Sequence, residues 1–205
     1  MTPTALFLDL DGVLRIWPKD YLVLESEYNL PPGSLAAAAF EPSLLQQVIT
    51  GRLSDKQWRS EVGTRLSAAF PSSRAREAVG AWSAPTGSVN GEVLHLAIQA
   101  RQVCRIGLIT NATDRLPQDL ADLGLTEHFD LVVNSSAVGF AKPRPEIFRH
   151  ALHLASVESV QAAFVDDTLT NVLAARALGI RAHHFTSIGG LLEFMHATGL
   201  PANAA

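Results

Sequence analysis

The sequence is poor in cysteine, because Cys104 is the one cysteine among 205 residues, and an internal disulfide is therefore excluded. Cys104 lies in an apolar run and is expected to pack as a small hydrophobic side chain. So little cysteine is typical of proteins from a reducing compartment. We therefore expect a soluble cytoplasmic protein.

Long apolar runs and basic clusters are also missing. No stretch approaches the roughly 20 apolar residues of a membrane-spanning helix, and the N-terminus lacks a basic segment followed by a secretory apolar stretch. The net charge is −4 and no basic patch is present. Neither nucleic acid nor a membrane is expected as a partner.

The sequence does have the means to form a core, since 47% of its residues are hydrophobic. From about residue 87, short apolar runs alternate with amphipathic segments, which predicts βαβ units and a parallel sheet. Residues 16–85 contain no convincing strand and are expected to be helical. A helical region is predicted over Leu35 to Thr50, and a capping box at Ser54 and Gln57 begins a further helix.

The first strand presents two acids. Residues 5–8 form a short apolar run, which indicates a buried strand, and Asp9 and Asp11 follow it. Residues two apart share a face of an extended chain, and Gly12 allows the backbone to turn away. Open α/β sheets bind their ligands at the carboxyl ends of strands. Two carboxylates this close shift each other's pKa unless a cation or a proton intervenes.

Other polar residues follow later strands. Thr110 and Asn111 end one apolar run, Asp166 and Asp167 end another, and Lys142 follows a further predicted strand. The carboxyl ends of parallel strands lie along one edge, so these groups can converge there. Oxygen donors without cysteine or histidine suit Mg²⁺. A hydroxyl, an ammonium group and helix-opening N–H groups suit a phosphate. We therefore expect a magnesium ion and a phosphoryl group at this edge.

These groups resemble four motifs of the haloacid dehalogenase superfamily of aspartate-nucleophile phosphatases, in the family's order. The motifs are Asp9-Leu10-Asp11-Gly12-Val13, Thr110-Asn111, Lys142-Pro143 and Asp166-Asp167. The resemblance implies an α/β fold, a three-layer Rossmann-like parallel sheet with a small all-helical cap domain. Residues 1–15 and 87–205 would form the catalytic core, and residues 16–86 would form the cap.

The resemblance also implies catalytic roles. Asp9 would attack phosphorus and form an aspartyl-phosphate, and Asp11 would protonate the leaving oxygen and then activate water. Thr110, Asn111 and Lys142 would hold the phosphoryl group, and Lys142 would also neutralise charge.

The same resemblance implies a Mg²⁺ site. Asp9, the backbone carbonyl of Asp11, and Asp166 would bind the ion, with Asp167 and Asn171 beside it. Many relatives carry an acid where Asn171 stands, which leaves the outer ligands open.

The expected function is Mg²⁺-dependent hydrolysis of a small phosphorylated metabolite, with a sugar phosphate as one candidate, by a monomer or homodimer. A phosphomutase of the same superfamily and a non-catalytic binding module on the same fold stay open as alternatives. A dehalogenase is not expected, because dehalogenases of this superfamily lack the second acid, which is present here as Asp11. The cap residues proposed to face the substrate are Trp17, Tyr21, Phe40, Arg52 and Trp58. The tryptophans at 58 and 82 are otherwise interpreted as core.

Overall fold

The computed structural model describes residues 2–17 and 21–203. Its strands, in chain order, are β1 (Ala5–Leu8), β2 (Arg15–Ile16), β3 (Ser88–Val89), β4 (Arg105–Thr110), β5 (Leu131–Asn134), β6 (Ala162–Asp166) and β7 (Arg181–His184). Five of them form one parallel sheet in the order β5-β4-β1-β6-β7, and β2 pairs with β3 in a separate ribbon. The predicted parallel α/β sheet is confirmed.

The helices alternate with these strands in the second half of the chain and succeed one another in the first half. In chain order they are α1 (Tyr21–Glu27), α2 (Ser34–Ala39), α3 (Pro42–Ile49), α4 (Asp55–Ala69), α5 (Ala75–Ser83), α6 (Gly91–Ala100), α7 (Leu116–Asp122), α8 (Ser135–Val138), α9 (Pro145–Ala155), α10 (Leu169–Ala177) and α11 (Ile188–Thr198).

The central strand β1 is buried on both faces, as expected of a parallel sheet covered by helices. Because successive side chains point to opposite faces, Leu6 and Leu8 pack with α6, α7 and α11. Ala5 and Phe7 pack on the other face with α9 and α10. The result is the three-layer arrangement that the resemblance implied.

The parallel register brings the ends of neighbouring strands to one edge of the sheet. Leu8 at the end of β1 pairs with Leu108 of β4 on one side and with Val165 of β6 on the other. Thr110 lies opposite Asn134 at the end of β5. The residues that follow β1, β4 and β6 therefore meet at a single edge.

Helices α1 to α5 form a helical layer over residues 21–83, with a hydrophobic cluster of its own. Leu44, Trp58 and Val62 are among its buried residues. Ser54 caps α4, and the reciprocal bond from its backbone N–H to the Gln57 side chain completes the predicted capping box. The proposed division of the chain at residues 15/16 and 86/87 stays a prediction.

The helical region predicted over Leu35 to Thr50 is confirmed, and it consists of two helices, α2 and α3. Pro42 has no backbone N–H and restricts the residue before it to extended geometry, so a helix cannot run through this point. Glu41 instead caps α3, and its carboxylate accepts the backbone N–H groups of Ser43 and Leu44.

The prediction that no strand occurs over residues 16–85 is wrong at its first position. Arg15 and Ile16 pair antiparallel with Val89 and Ser88. A two-residue strand is too short to show an alternating pattern, which is why the sequence did not reveal it. This ribbon joins the helical layer to the sheet at both connections.

Among the described residues, no helix combines the length and the hydropathy that crossing a bilayer requires.

Candidate active site

Asp9 follows β1 directly, and its carboxylate forms a buried ion pair. Its backbone N–H donates to the carbonyl of Val165 at 2.8 Å, which continues the sheet by one residue. Its Oδ1 accepts the backbone N–H of Leu10 at 2.7 Å and lies 2.8 Å from Nζ of Lys142. The same Nζ is 2.7 Å from Oδ2 of Asp166. One buried ammonium group therefore bridges the acids that end β1 and β6.

Asp166 is fully buried and is held by polar groups of the turn that follows it. Its Oδ1 accepts the backbone N–H of Thr168 at 2.8 Å. The amide of Asn171 donates to both of its oxygens, at 3.0 and 3.1 Å. Asn171 thus fixes the orientation of Asp166, which is a supporting role beside the acids.

Asp9, Asp166 and Asp167 each offer an oxygen, and these three atoms lie within 4.8 Å of one another. Burial raises the pKa of Asp9 to about 7, and the charge of Asp166 adds to the effect against the opposing charge of Lys142. Burial, followed by Asp166, also raises the pKa of Asp167. Three carboxylates facing one ammonium group favour a further cation, and an all-oxygen donor set fits Mg²⁺.

Gly12 is required by the close approach of this cluster. Its φ is +79°, and a Cβ atom added there would lie 2.0 Å from Oδ2 of Asp167. Any larger residue would both strain the backbone and displace a carboxylate of the site.

The side chain of Asp11 lies outside this group of three acids and points into a different set of contacts. Its Oδ1 accepts from Nε of Arg15 and from Nε1 of Trp17, both at 2.6 Å, and its Oδ2 accepts from Nη2 of Arg15 at 3.0 Å. The resemblance assigns metal binding to the backbone carbonyl of Asp11, so its side chain is free to have this separate role.

Sequence reasoning missed Arg15, which is only 4% exposed. Its Nη1 pairs with Oδ2 of Asp119 at 2.8 Å, so the guanidinium group bridges Asp11 and Asp119. Burial alone would lower the pKa of Arg15, but hydrogen bonds to the two acids outweigh burial and raise it. The spacing of Asp11 and Arg15, four residues apart, was a signal in the sequence. Nothing in the sequence connected Asp119 to them.

Thr110 and Asn111 lie beside these acids with different surroundings. The Thr110 hydroxyl is buried and has no hydrogen-bond partner among the described residues. Such a group is costly unless it binds something, and a phosphoryl oxygen would satisfy it. Asn111 instead accepts the backbone N–H of Lys142 at 2.8 Å and donates to its carbonyl at 2.9 Å. Its side chain therefore positions Lys142.

His184 also contributes to the edge of the site. Its Nε2 lies 2.9 Å from the carbonyl oxygen of Asp167. The neighbouring His183 ring stacks on Phe194 with centroids 5.1 Å apart. The two rings thus have separate partners and do not act on one ligand.

A cavity of about 200 Å³ lies between the helical layer and the sheet, next to Asp11 and Asn111. We call it the aromatic cavity, because Trp17, Phe40, Trp58 and Trp82 line it. Three of these were proposed to face the substrate. Trp58 is also core, as interpreted, whereas the core interpretation of Trp82 is incomplete because it is half-buried at the cavity wall.

Of the other two cap candidates, the structure describes the side chain of one, Arg52. Arg52 is exposed and is not among the side chains that line the aromatic cavity, so that expectation is wrong. It follows the turn at Gly51, where the chain leaves α3. The side chain of Tyr21 lies outside the part of the chain that the structure describes.

These observations define the class of fold and site. The protein has a parallel α/β sheet whose carboxyl edge carries clustered acids and one buried lysine, and such groups suit a cation and an anion. The chain matches the family described as haloacid dehalogenase-like hydrolase over residues 3–179, and it belongs to that family.

Similar proteins include the human "Haloacid dehalogenase-like hydrolase domain-containing protein 3", which is 45% identical over 86 residues, covering 42% of this chain and 34% of that protein. The chain thus spans about a third of the length of this relative. The plasmid-encoded phosphoglycolate phosphatase of Cupriavidus necator is 29% identical over 189 residues, covering 86% of this chain and 78% of that one.

Among solved structures, a HAD family enzyme of Bacteroides thetaiotaomicron in complex with magnesium and inorganic phosphate superposes with a TM-score of 0.73. It is 18% identical, and the match covers 90% of this chain and 94% of that chain. This similarity shows the shared fold.

Proposed function

We propose that this protein is a Mg²⁺-dependent phosphatase that hydrolyses a phosphate monoester of a small molecule through an aspartyl-phosphate on Asp9. The observation that carries the proposal is the buried bridge from Asp9 through Lys142 to Asp166, with Asp167 alongside. Relatives named phosphoglycolate phosphatase and phosphoserine phosphatase support it. The magnesium and phosphate bound by a structural neighbour support it as well.

In the first half-reaction a carboxylate oxygen of Asp9 attacks phosphorus, and the bond to the leaving alcohol breaks. Asp11 gives its proton to the departing oxygen, so the alcohol leaves uncharged. The Nζ of Lys142 and the hydroxyl of Thr110 donate to the phosphoryl oxygens and offset their charge. Thr110 thereby gains the partner that its buried hydroxyl lacks among the described residues.

In the second half-reaction Asp11 takes a proton from water, and that water attacks the phosphorus of the aspartyl-phosphate. The bond between phosphorus and the Asp9 oxygen breaks, inorganic phosphate leaves, and both acids return to their starting states. Mg²⁺ held by Asp9, Asp166 and Asp167 would neutralise negative charge on the phosphoryl group. Asn171 and the N–H of Thr168 keep Asp166 oriented for that contact.

We further propose that residues 16–86 act as a cap that limits the substrate to small molecules, because the helical layer covers the edge of the sheet beside Asp11. The aromatic cavity beneath it has a volume of about 200 Å³, which suits a small organic group. A polymer would not fit in a space of this size.

The first experiment measures hydrolysis of 4-nitrophenyl phosphate with Mg²⁺ and after its removal by EDTA. The variants are Asp9→Asn and, as a matched control, Asp122→Asn, which alters an exposed aspartate on α7. We expect turnover that requires Mg²⁺ and falls by at least about 10³-fold in Asp9→Asn, since the nucleophile is lost. The control should match the wild type.

Substantial turnover by Asp9→Asn would contradict the role of Asp9 as nucleophile. Absence of turnover by folded, Mg²⁺-loaded wild type would contradict the phosphatase and favour the phosphomutase or the binding module.

A further inference from the structure

Every tryptophan of the chain lines the aromatic cavity, since the sequence contains three, at positions 17, 58 and 82. Trp82 meets Trp58 edge to face with centroids 5.4 Å apart, and it meets Phe40 in the same way at 6.2 Å. Such pairs hold the rings in fixed orientations. The cavity therefore has a rigid aromatic wall beside the proposed phosphate site.

Two of the indole N–H groups of this wall, those of Trp58 and Trp17, are already bonded within the protein. Nε1 of Trp58 donates to the carbonyl of Ala39 at 3.0 Å, and Nε1 of Trp17 donates to Asp11. Phe40, in contrast, is 50% exposed at the cavity, although exposing a large aromatic side chain to water is unfavourable. The surface offered to a ligand is thus mainly ring carbon.

The charges that line the cavity are balanced by three arginines and three aspartates that pair with one another. Arg59 lies 2.6 Å from Asp55, and its Nη1 donates to the carbonyl of Ser83 at 3.0 Å. Arg115 lies 2.8 Å from Asp119 and donates to the same carbonyl at 2.7 Å.

Arg15 completes this set through its bonds to Asp11 and Asp119. A carboxylate on the ligand would have to replace one of these internal partners and leave an acid unpaired. A sugar would place most of its hydroxyl groups against ring carbon or against charged groups that pair with one another, and only Nε of Arg59 and Oδ1 of Asp119 lack a hydrogen-bond partner among the described buried side-chain atoms of the lining. The lining therefore suits both chemistries less well than it suits an uncharged aromatic group.

We propose that the alcohol part of the substrate is an uncharged aromatic group that binds in the aromatic cavity, with its phosphate directed to Asp9 and Lys142. This inference rests on the proposed phosphatase function. It narrows the substrate from small phosphate monoesters in general to monoesters of aryl-bearing alcohols.

The test compares phosphate esters whose leaving oxygens have similar intrinsic reactivity: benzyl phosphate, 4-carboxybenzyl phosphate, cyclohexylmethyl phosphate and glucose 6-phosphate. We expect kcat/KM for benzyl phosphate to exceed that for the carboxylated and sugar esters by at least about tenfold. The carboxylate of the one and the hydroxyl groups of the other would lack matching partners in the cavity. The cyclohexylmethyl ester should be intermediate, since its saturated ring retains apolar contact but has no aromatic π-system.

Two variants of Phe40 separate aromatic contact from simple apolar contact. Phe40→Leu should reduce kcat/KM for benzyl phosphate by roughly threefold and Phe40→Ala by roughly tenfold, with little change for methyl phosphate, which does not fill the cavity. Leu154→Ala, at an exposed position on α9, is the matched control and should leave both substrates unchanged.

A second readout needs no turnover. Benzyl phosphonate should change the tryptophan fluorescence in a saturable way, and Phe40→Ala should weaken its binding. Equal rates for all the esters, equal losses on all of them in Phe40→Ala, or a preference for the carboxylated or sugar ester would overturn the inference. Saturable phosphonate binding without hydrolysis of any ester would remove the phosphatase proposal and support the aromatic ligand class.

Discussion

Carboxylates at the two edges of the sheet have pKa values that are shifted in opposite directions. At the carboxyl edge, burial and a neighbouring acid raise the pKa of Asp9 to about 7. At the amino edge, Asp130 accepts the backbone N–H of Ile106 at 2.8 Å and pairs with Arg101 at 2.6 Å. Burial would raise the pKa of Asp130, but these bonds outweigh it and lower the pKa.

This contrast separates the two tasks of an acidic residue. The carboxylate of Asp130 has hydrogen-bond and ion-pair partners within the protein, and it stabilises the junction of β4 and β5. The acids at the carboxyl edge are crowded and share one lysine, which is unfavourable for the fold and suited to binding a cation and a phosphate. The predictions below test this division, beginning with the largest expected effect.

Replacing Lys142 with Met at the carboxyl edge should have the largest effect on both stability and activity. It leaves Asp9 and Asp166 buried without their shared cation, which costs on the order of 3 kcal/mol in the free energy of unfolding without metal. Activity should fall by about 10³-fold, because in the proposed mechanism Lys142 also neutralises the phosphoryl group. Urea denaturation in EDTA and steady-state kinetics measure the two effects.

The matched control is Lys56→Met, which alters an exposed lysine in the first turn of α4. It should be close to wild type in both assays. A Lys142→Met protein of unchanged stability would show that the two acids do not depend on the ammonium group.

Arg15 sharpens the comparison, because it is a cation of the site that touches Asp11 and not the group of three acids. Arg15→Met should misplace Asp11 and so impair proton transfer to the leaving oxygen. We expect roughly a tenfold loss of kcat/KM for benzyl phosphate, whose alcohol is a poor leaving group, and little loss for 4-nitrophenyl phosphate. The ratio of the two rates is the measurement.

A merely structural role would reduce both rates by the same factor, so equal losses would count against the positioning role of Arg15. The free energy of unfolding of the variant, measured in parallel, controls for general damage.

At the amino edge, Asp130→Asn should reduce the free energy of unfolding by up to about 1 kcal/mol, because the pair with Arg101 is partly exposed to solvent, and leave kcat/KM unchanged. The folded-state pKa of Asp130 lies below the ordinary value of 3.8. Its stabilisation is therefore fully present above that pH and is lost as the pH falls through the folded-state pKa. The difference between the urea midpoints of the wild type and the variant should narrow as the pH falls below 3.8.

A difference between them that persists undiminished at the lowest pH would show that the charge of Asp130 is not the source of the effect. Reduced activity at neutral pH would show that the two edges are coupled.

Much of the sheet and its active edge could be predicted because each buried strand appears as an apolar run with a polar residue at its end. That pattern located Asp9, Thr110 and Asp166. It could not reveal the bridge from Arg15 to Asp119, because the two residues are 104 positions apart and the contact exists only in the folded chain. The break at Pro42 was visible in the sequence and was overlooked in favour of the helical spacing around it.

The ribbon of β2 and β3 affects how the sequence can change during evolution. The path into the helical layer and the path out of it run side by side, with Arg15 paired to Val89 and Ile16 paired to Ser88. Insertions or deletions between these points leave the separation of the two paths unchanged. The helical layer can therefore be lengthened, shortened or exchanged for another while the acids after β1 keep their places, and under the proposed function such changes would alter the substrate.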